Sequence, residues 1–365
     1  MRALPVALLL SLAACGATDD APAPGDTDAS PVWRAMLLAD THIIASYYTC
    51  CESPGLDTIS IYRGAQRLGF TAEIANALTP LPERGFVMGD IFHDNYHYGE
   101  DLQAYLDNES AIGNAQALFE QFDFPMEIAF GNHDYDLGEA SREFSHELFD
   151  AVMDKPPYYA VDHRGFRFLL MNTQLGDTWD QESEAFNPSA GSFGAEQLAW
   201  AADQLDDGVP TFVMFHHHPI ADSLAVEELS EADAVRGTIR DVFDLTEVYS
   251  DTVEVVFAGH LHRWFDADAM QAFVGSDAVP WYILGATRYD AQNFWLLELD
   301  EQTGAWDIVD QDKAMYGTTW AYNTTYDAQG NPTVDDSSDA AYDPAYDTTD
   351  EDDLDDGWDP PFGND

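Results

Sequence analysis

Ile128-Ala129-Phe130-Gly131-Asn132-His133-Asp134 joins an apolar run to a polar, glycine-led string. Three apolar residues suited to a buried strand run into a glycine, then into three side chains that can bind metals or move protons. The pattern reads as a strand that stops at a functional loop. One copy is weak evidence, because short polar strings arise by chance. The same grammar recurs, however. Met36-Leu37-Leu38-Ala39 leads to Asp40-Thr41-His42, and Phe86-Val87-Met88 leads to Gly89-Asp90. The apolar run 212–215 leads to His216-His217-His218-Pro219, and 255–258 leads to Gly259-His260-Leu261-His262.

Strand-like runs fall at 33–38, 85–88, 127–130, 211–215, 253–258 and 281–284. Helical patterns fall at about 57–78, 100–121, 138–153, 193–206 and 236–249. Residues 158–161 and 167–171 read as a hairpin around His163-Arg164-Gly165, and 293–299 with 305–309 as a second. Strands alternating with helices imply an α/β layered domain. In such sheets, ligands bind at the carboxyl ends of the strands. Every one of the five polar strings sits at such an end.

Taken in this order, the strings resemble the calcineurin-like metallophosphoesterase superfamily over about residues 35–300. Gly194-Ala195-Glu196-Gln197-Leu198-Ala199-Trp200 also resembles a helix that many members carry before the fourth string. The resemblance implies two mixed sheets layered as a β-sandwich and flanked by helices. It implies that Asp40, His42 and His262 hold one metal, that Asn132, His217 and His260 hold a second, and that Asp90 bridges them. His217 is preferred within the triple histidine because it stands two residues before Pro219. His133 is expected near the leaving group, oriented by a hydrogen bond to Asp134.

The donor chemistry agrees with that assignment. Imidazoles, carboxylates and an amide oxygen, with no thiolate, suit two divalent or trivalent transition-metal ions, iron, manganese, zinc or cobalt, better than calcium. Two ions about 3.5–4 Å apart can share a hydroxide that attacks phosphorus, while His133 serves the leaving oxygen. His93, His216, His218 and Arg288 are further candidates for contact with substrate. For His93 packing is the equal alternative, and for Arg288 a surface salt bridge. His93 stands where purple acid phosphatases carry a ligating tyrosine, which separates this chain from that branch. Asn95, His97 and Tyr98 read as a loop, either lining the pocket or solvated.

The charge balance narrows the substrate. Asp and Glu total 68 against 14 Lys and Arg, a formal net charge of -54. Only thirteen of those carboxylates fall in residues 335–365, so the body is acidic as well. Adaptation to a salty medium is one explanation. Such a surface repels nucleic acid and other long polyanions. A small phosphomonoester or phosphodiester is the expected partner.

Arg2, the apolar run 3–14 and then Cys15 read as an export signal. Leu12-Ala13-Ala14-Cys15 resembles a bacterial lipobox, which implies a lipid on Cys15, cleavage before it, and a membrane as partner through that anchor. A plain signal peptide cut near Ala14 is the alternative. Gly16 after the cysteine points by resemblance to the outer membrane. The expected division is 1–14 lipoprotein signal peptide, 15–31 flexible tether, 32–315 catalytic domain and 316–365 an acidic, largely disordered tail. Cys50 and Cys51 are adjacent, and either a strained vicinal bridge or thiols that are free or paired between molecules fit them. The expected function is dimetal hydrolysis of a phosphate ester in the periplasm or at the cell surface. The competing reading is a non-catalytic surface protein whose acidic tail binds cations or a partner.

Overall fold

The computed structural model describes residues 30–49, 56–93, 95–136, 138–186, 191–217, 245–246, 248–262, 264–267, 270, 278–291, 293–309, 324–326 and 332–334. Two five-stranded sheets form its frame. The first contains β1 (Val32–Leu38), β2 (Arg84–Met88), β3 (Met126–Ala129), β9 (Trp295–Asp300) and β10 (Trp306–Val309), in the order β10-β9-β1-β2-β3. The second runs β4 (Tyr159–His163), β5 (Phe166–Leu170), β6 (Thr211–Met214), β7 (Val253–Ala258), β8 (Trp281–Ile283) in sequence order. β1, β2 and β3 pair in parallel, as do β5 through β8. Both sheets are mixed, because β9, β10 and β4 pair antiparallel.

The period of two along each strand sorts the side chains into layers. Trp33, Ala35, Leu37, Phe86 and Met88 of one sheet meet Phe166, Phe168, Leu170, Phe212, Met214, Val255 and Phe257 of the other in a buried seam. Phe168 stacks between Phe86 and Phe212, with ring centroids 4.4 and 5.1 Å away. Each fully buried phenylalanine there stabilises the fold by about 1.5–3 kcal/mol. The intervening residues face outward to helices. Met36, Leu38, Val87 and Ile128 share a core with α1 (Leu56–Asn76), α3 (Ala111–Phe119) and α4 (Arg142–Met153). Leu169, Val213, Phe215 and Val256 share another with α5 (Gly194–Leu205). Helices thus cover both outer faces of the sandwich, which is the expected layering and explains why the parallel strands are almost wholly apolar.

The expected helix at 100–121 is divided into α2 (Leu102–Asp107) and α3. Asn108 takes extended backbone, and the Ser110 hydroxyl accepts from Gly113 N, restarting the helix. Both expected hairpins are present as β4–β5 and β9–β10. The expected helix at 236–249 lies almost entirely outside the described residues, as do the export signal, Cys15, Cys50, Cys51 and His218. Within the segment expected to lack structure, the backbones of β11 (Thr324–Tyr326) and β12 (Pro332–Val334) pair antiparallel. Threonine, tyrosine and valine favour that extended form.

Candidate metal centre

β1, β2, β3, β6 and β7 all deliver their polar strings to one edge of the sandwich. The loops after β1 and β2 are tied together by the Asp40, His42 and His93 amides, which donate to the carbonyls of Gly89, Asp90 and Ile43 at 3.1, 2.9 and 2.8 Å. Asp40, His42, Asp90, His260 and His262 have φ of 53°, 45°, 51°, 76° and 56°. This left-handed region costs a residue with a Cβ on the order of 1 kcal/mol or more. Among the described residues, only Asp154 and Arg164 are other non-glycines with positive φ. Backbone strain is therefore concentrated on the side chains that the sequence singled out. Gly131 permits the closest approach, since a Cβ there would overlap the backbone nitrogen and carboxylate of Asp90.

The side chains form two clusters with one shared member. Asp40, His42, Asp90 and His262 each offer a ligand atom, and these atoms lie within 4.8 Å of one another. Asp90, His216 and His260 do the same. Asp90 Oδ2 lies 3.4 Å from His42 Nε2 on one side and 3.2 Å from His216 Nε2 on the other. Its Oδ1 accepts from the His133 amide at 2.8 Å. Asn132 Oδ1 stands 3.0 Å from His216 Nε2, and His260 Nδ1 stands 3.1 Å from the same atom. His262 Nε2 is 3.5 Å from Asp40 Oδ1 and 3.2 Å from His42 Nε2.

Two buried carboxylates beside three imidazoles whose charge burial disfavours form a place that favours cations. Burial lifts the Asp40 carboxyl to about 7, with the neighbouring Asp90 adding to it against the pull of His216. Burial depresses His260 to about 3, helped by the charge on His216. His42 and His262 are also lowered, first by burial and then by the Arg288 guanidinium. Neutral imidazoles keep the lone pair that a metal needs. His216 differs: burial opposes its charge, but Asp90 and Asp40 outweigh that and raise it to about 9. The donor set of histidine, aspartate and asparagine fits transition-metal ions in both clusters.

Most of the expected residues converge here, with differences in detail. His216 occupies the position foreseen for His217. His217 turns its Nδ1 to Thr173 Oγ1 at 2.8 Å and Gln174 Nε2 at 2.9 Å, although its ring packs 4.4 Å from that of His260. The Asp134 carboxylate is fully buried and accepts from the amides of Gly131 and Ile91 at 2.7 and 2.8 Å. It fixes the course of the loops after β2 and β3, and so positions the turn bearing His133. His93 joins a third group, with His42 and His133. Arg288 is no surface residue: it is 1% exposed, with Nη2 2.9 Å from His262 Nδ1. Asn95 is buried and its Oδ1 accepts from Ile112 N, while His97 stacks on Tyr47 at 4.2 Å. Thr173 and Gln174 were missed, although they follow β5 as the other polar strings follow their strands.

Residues 34–264 match the model of the calcineurin-like phosphoesterase family. The chain belongs to that family. It is accordingly a phosphoesterase, and the family implies a dinuclear metal centre for metal-dependent hydrolysis of phosphate esters. Among solved structures, a dimetal phosphatase from Danio rerio is similar at 16% identity and a TM-score of 0.48, covering 73% of this chain and 93% of its own. The purple acid phosphatase PPD1 from yellow lupin (Lupinus luteus) seeds is similar at 14% identity and a TM-score of 0.47, with 78% of this chain covered. The present chain spans only 55% of that enzyme. Comparison with curated proteins gave no match.

Proposed function

We propose that this phosphoesterase hydrolyses small phosphomonoesters or phosphodiesters outside the cytoplasm, held to a membrane by a lipid on Cys15. The observation that carries the catalytic reading is the double membership of Asp90, whose carboxylate belongs to both metal-competent clusters. Asp40, His42 and His262 would hold one ion, Asn132, His216 and His260 the other, and Asp90 both. When bound, the metals supply Lewis acidity toward the phosphoryl oxygens and an acidified water as nucleophile.

The protein's own residues do the rest. The 2.8 Å bond from the His133 amide to Asp90 Oδ1 ties the His133 backbone to the shared carboxylate. The His133 ring is partly exposed, so it can hold a proton at the leaving oxygen. The Arg288 guanidinium adds fixed positive charge behind His262, favouring an anionic substrate. The acidic body favours small esters over polyanions. The sequence 12–15 and the apolar run before it support the anchored, exported location. Hydrolysis of p-nitrophenyl phosphate and of its bis ester, with manganese or zinc supplied, tests the reaction. Turnover of either supports it; inertness toward both with every metal contradicts it. Labelling of Cys15 by a fatty-acid probe in cells, lost in Cys15→Ser, tests the anchor.

A further inference from the structure

Four aromatic rings run outward from the metal cluster without a break. His133 stacks on His93, with centroids 4.5 Å apart and planes 28° from parallel. His93 meets Tyr48 edge-on at 5.4 Å and 83°. Tyr48 meets Tyr62 at 5.4 Å and 60°. The inner end belongs to the site, because His93 Nδ1 lies 3.1 Å from His42 Nδ1 and the His133 ring 4.8 Å from that of His42. The outer end is open: Tyr62 is 45% exposed, and Tyr48, His93 and His133 are each partly exposed.

The run is not a piece of the core. None of the four rings belongs to the buried clusters that join sheets and helices. They come from separate parts of the chain, namely the loops after β1, β2 and β3 and the first turns of α1. Four separate segments contributing rings to one line, beginning at a candidate proton donor, calls for a ligand-facing explanation. Aromatic faces bind other planar rings by stacking and edge contacts. An uncharged ring is also the kind of group that the strongly acidic protein does not repel.

We infer that this run is the leaving-group subsite, and that the favoured ester carries a planar aromatic group, aryl or nucleoside, on its leaving oxygen. The inference rests on the reading above, in which His133 serves that oxygen. A group attached to the oxygen then projects past His93 onto Tyr48 and Tyr62. These two tyrosines are specificity determinants, because they meet the part of the substrate that does not react.

The test holds the broken bond constant and varies the ring. Adenosine 5'-monophosphate and ribose 5-phosphate share the same ester linkage and differ by the base. The inference predicts that kcat/KM for the nucleotide exceeds that for the sugar phosphate by about tenfold or more. It predicts that the ratio falls toward one in Tyr48→Leu and in Tyr62→Leu, mainly through KM, and survives in Tyr48→Phe and Tyr62→Phe. A ratio near one in the native protein, or a ratio that neither leucine variant lowers, overturns it. Calorimetry separates this failure from failure of the hydrolytic reading. Adenosine or phenol should bind the native protein more tightly than ribose, and Tyr62→Leu should weaken that binding by about tenfold. Whichever of the two binds tighter distinguishes a nucleoside from a simple aryl group. Equal, undetectable binding of all three overturns the subsite even in a protein that hydrolyses p-nitrophenyl phosphate.

Discussion

His216 Nε2 stands 3.2 Å from the Asp90 carboxylate, while the adjacent His217 directs its Nδ1 to Thr173 and Gln174. The two neighbours should therefore respond differently to the same substitution. His216→Asn removes a ligand-position imidazole and should lower kcat/KM by about 10³-fold, the equivalent of several kcal/mol of transition-state stabilisation. His217→Asn disturbs the contacts to Thr173 and Gln174 and the packing against His260, and should cost about 10–100-fold. Steady-state kinetics with p-nitrophenyl phosphate checks the order, and a greater loss from His217→Asn would reverse the assignment.

His133 is held by its amide to Asp90, yet its ring lies outside both clusters that contain Asp90. His133→Asn should keep the metal content of the native protein while kcat falls about 10²–10⁴-fold. The loss should be smallest for esters with good leaving groups, which need little help from a proton. An equal loss across leaving groups would assign His133 another part.

Arg288 places a guanidinium 2.9 Å from His262 Nδ1. A fixed cation there would repel a metal held by His262 and attract a substrate phosphate. Arg288→Met should tighten metal binding by about tenfold and raise KM by a similar factor, effects of about 1.4 kcal/mol each in opposite directions. Metal titration and kinetics on one preparation measure both. Weaker metal binding in the variant would show that Arg288 serves mainly to position His262.

His146, on α4, is lowered from 6.5 to about 4 by burial, with the Arg142 charge adding to it. The unfolded chain thus takes up this proton at higher pH than the folded one. The contribution is fully present above 6.5 and is lost as pH falls toward 4. Its size is roughly 2 kcal/mol. Denaturation from pH 7 to pH 4 should show a shallower stability loss in His146→Gln than in the native protein. Parallel curves would contradict the assignment.

Much of this arrangement is legible in the sequence because it is local. An apolar run long enough for one strand, followed at once by Asp40 and His42 or by Asn132 and His133, marks both an element and the edge where the polar side chains gather. Helix starts are legible less well, since α3 begins at Ser110 through a hydroxyl that competes with the preceding helix. The choice between His216 and His217 turns on strand alternation. Phe212 and Met214 face the opposite sheet, and the period of two carries His216 to that side. His217 continues the face of Val213 and Phe215 instead. The burial of Arg288 depends on its place beside His262, 26 residues away in the chain, which no short window contains. Five left-handed backbone positions among aspartates and histidines were equally out of reach, because local preference argues against them and only the assembled loops impose them.

One carboxylate, that of Asp90, is proposed to serve two cations. Elemental analysis of the purified protein beside its Asp90→Asn variant, with phosphatase activity assayed on the same samples, tests it most directly. Two transition-metal ions per native chain are expected, with at most one retained and activity lost by about 10³-fold or more in the variant. One ion per native chain, or a variant that keeps both ions and full turnover, would contradict it.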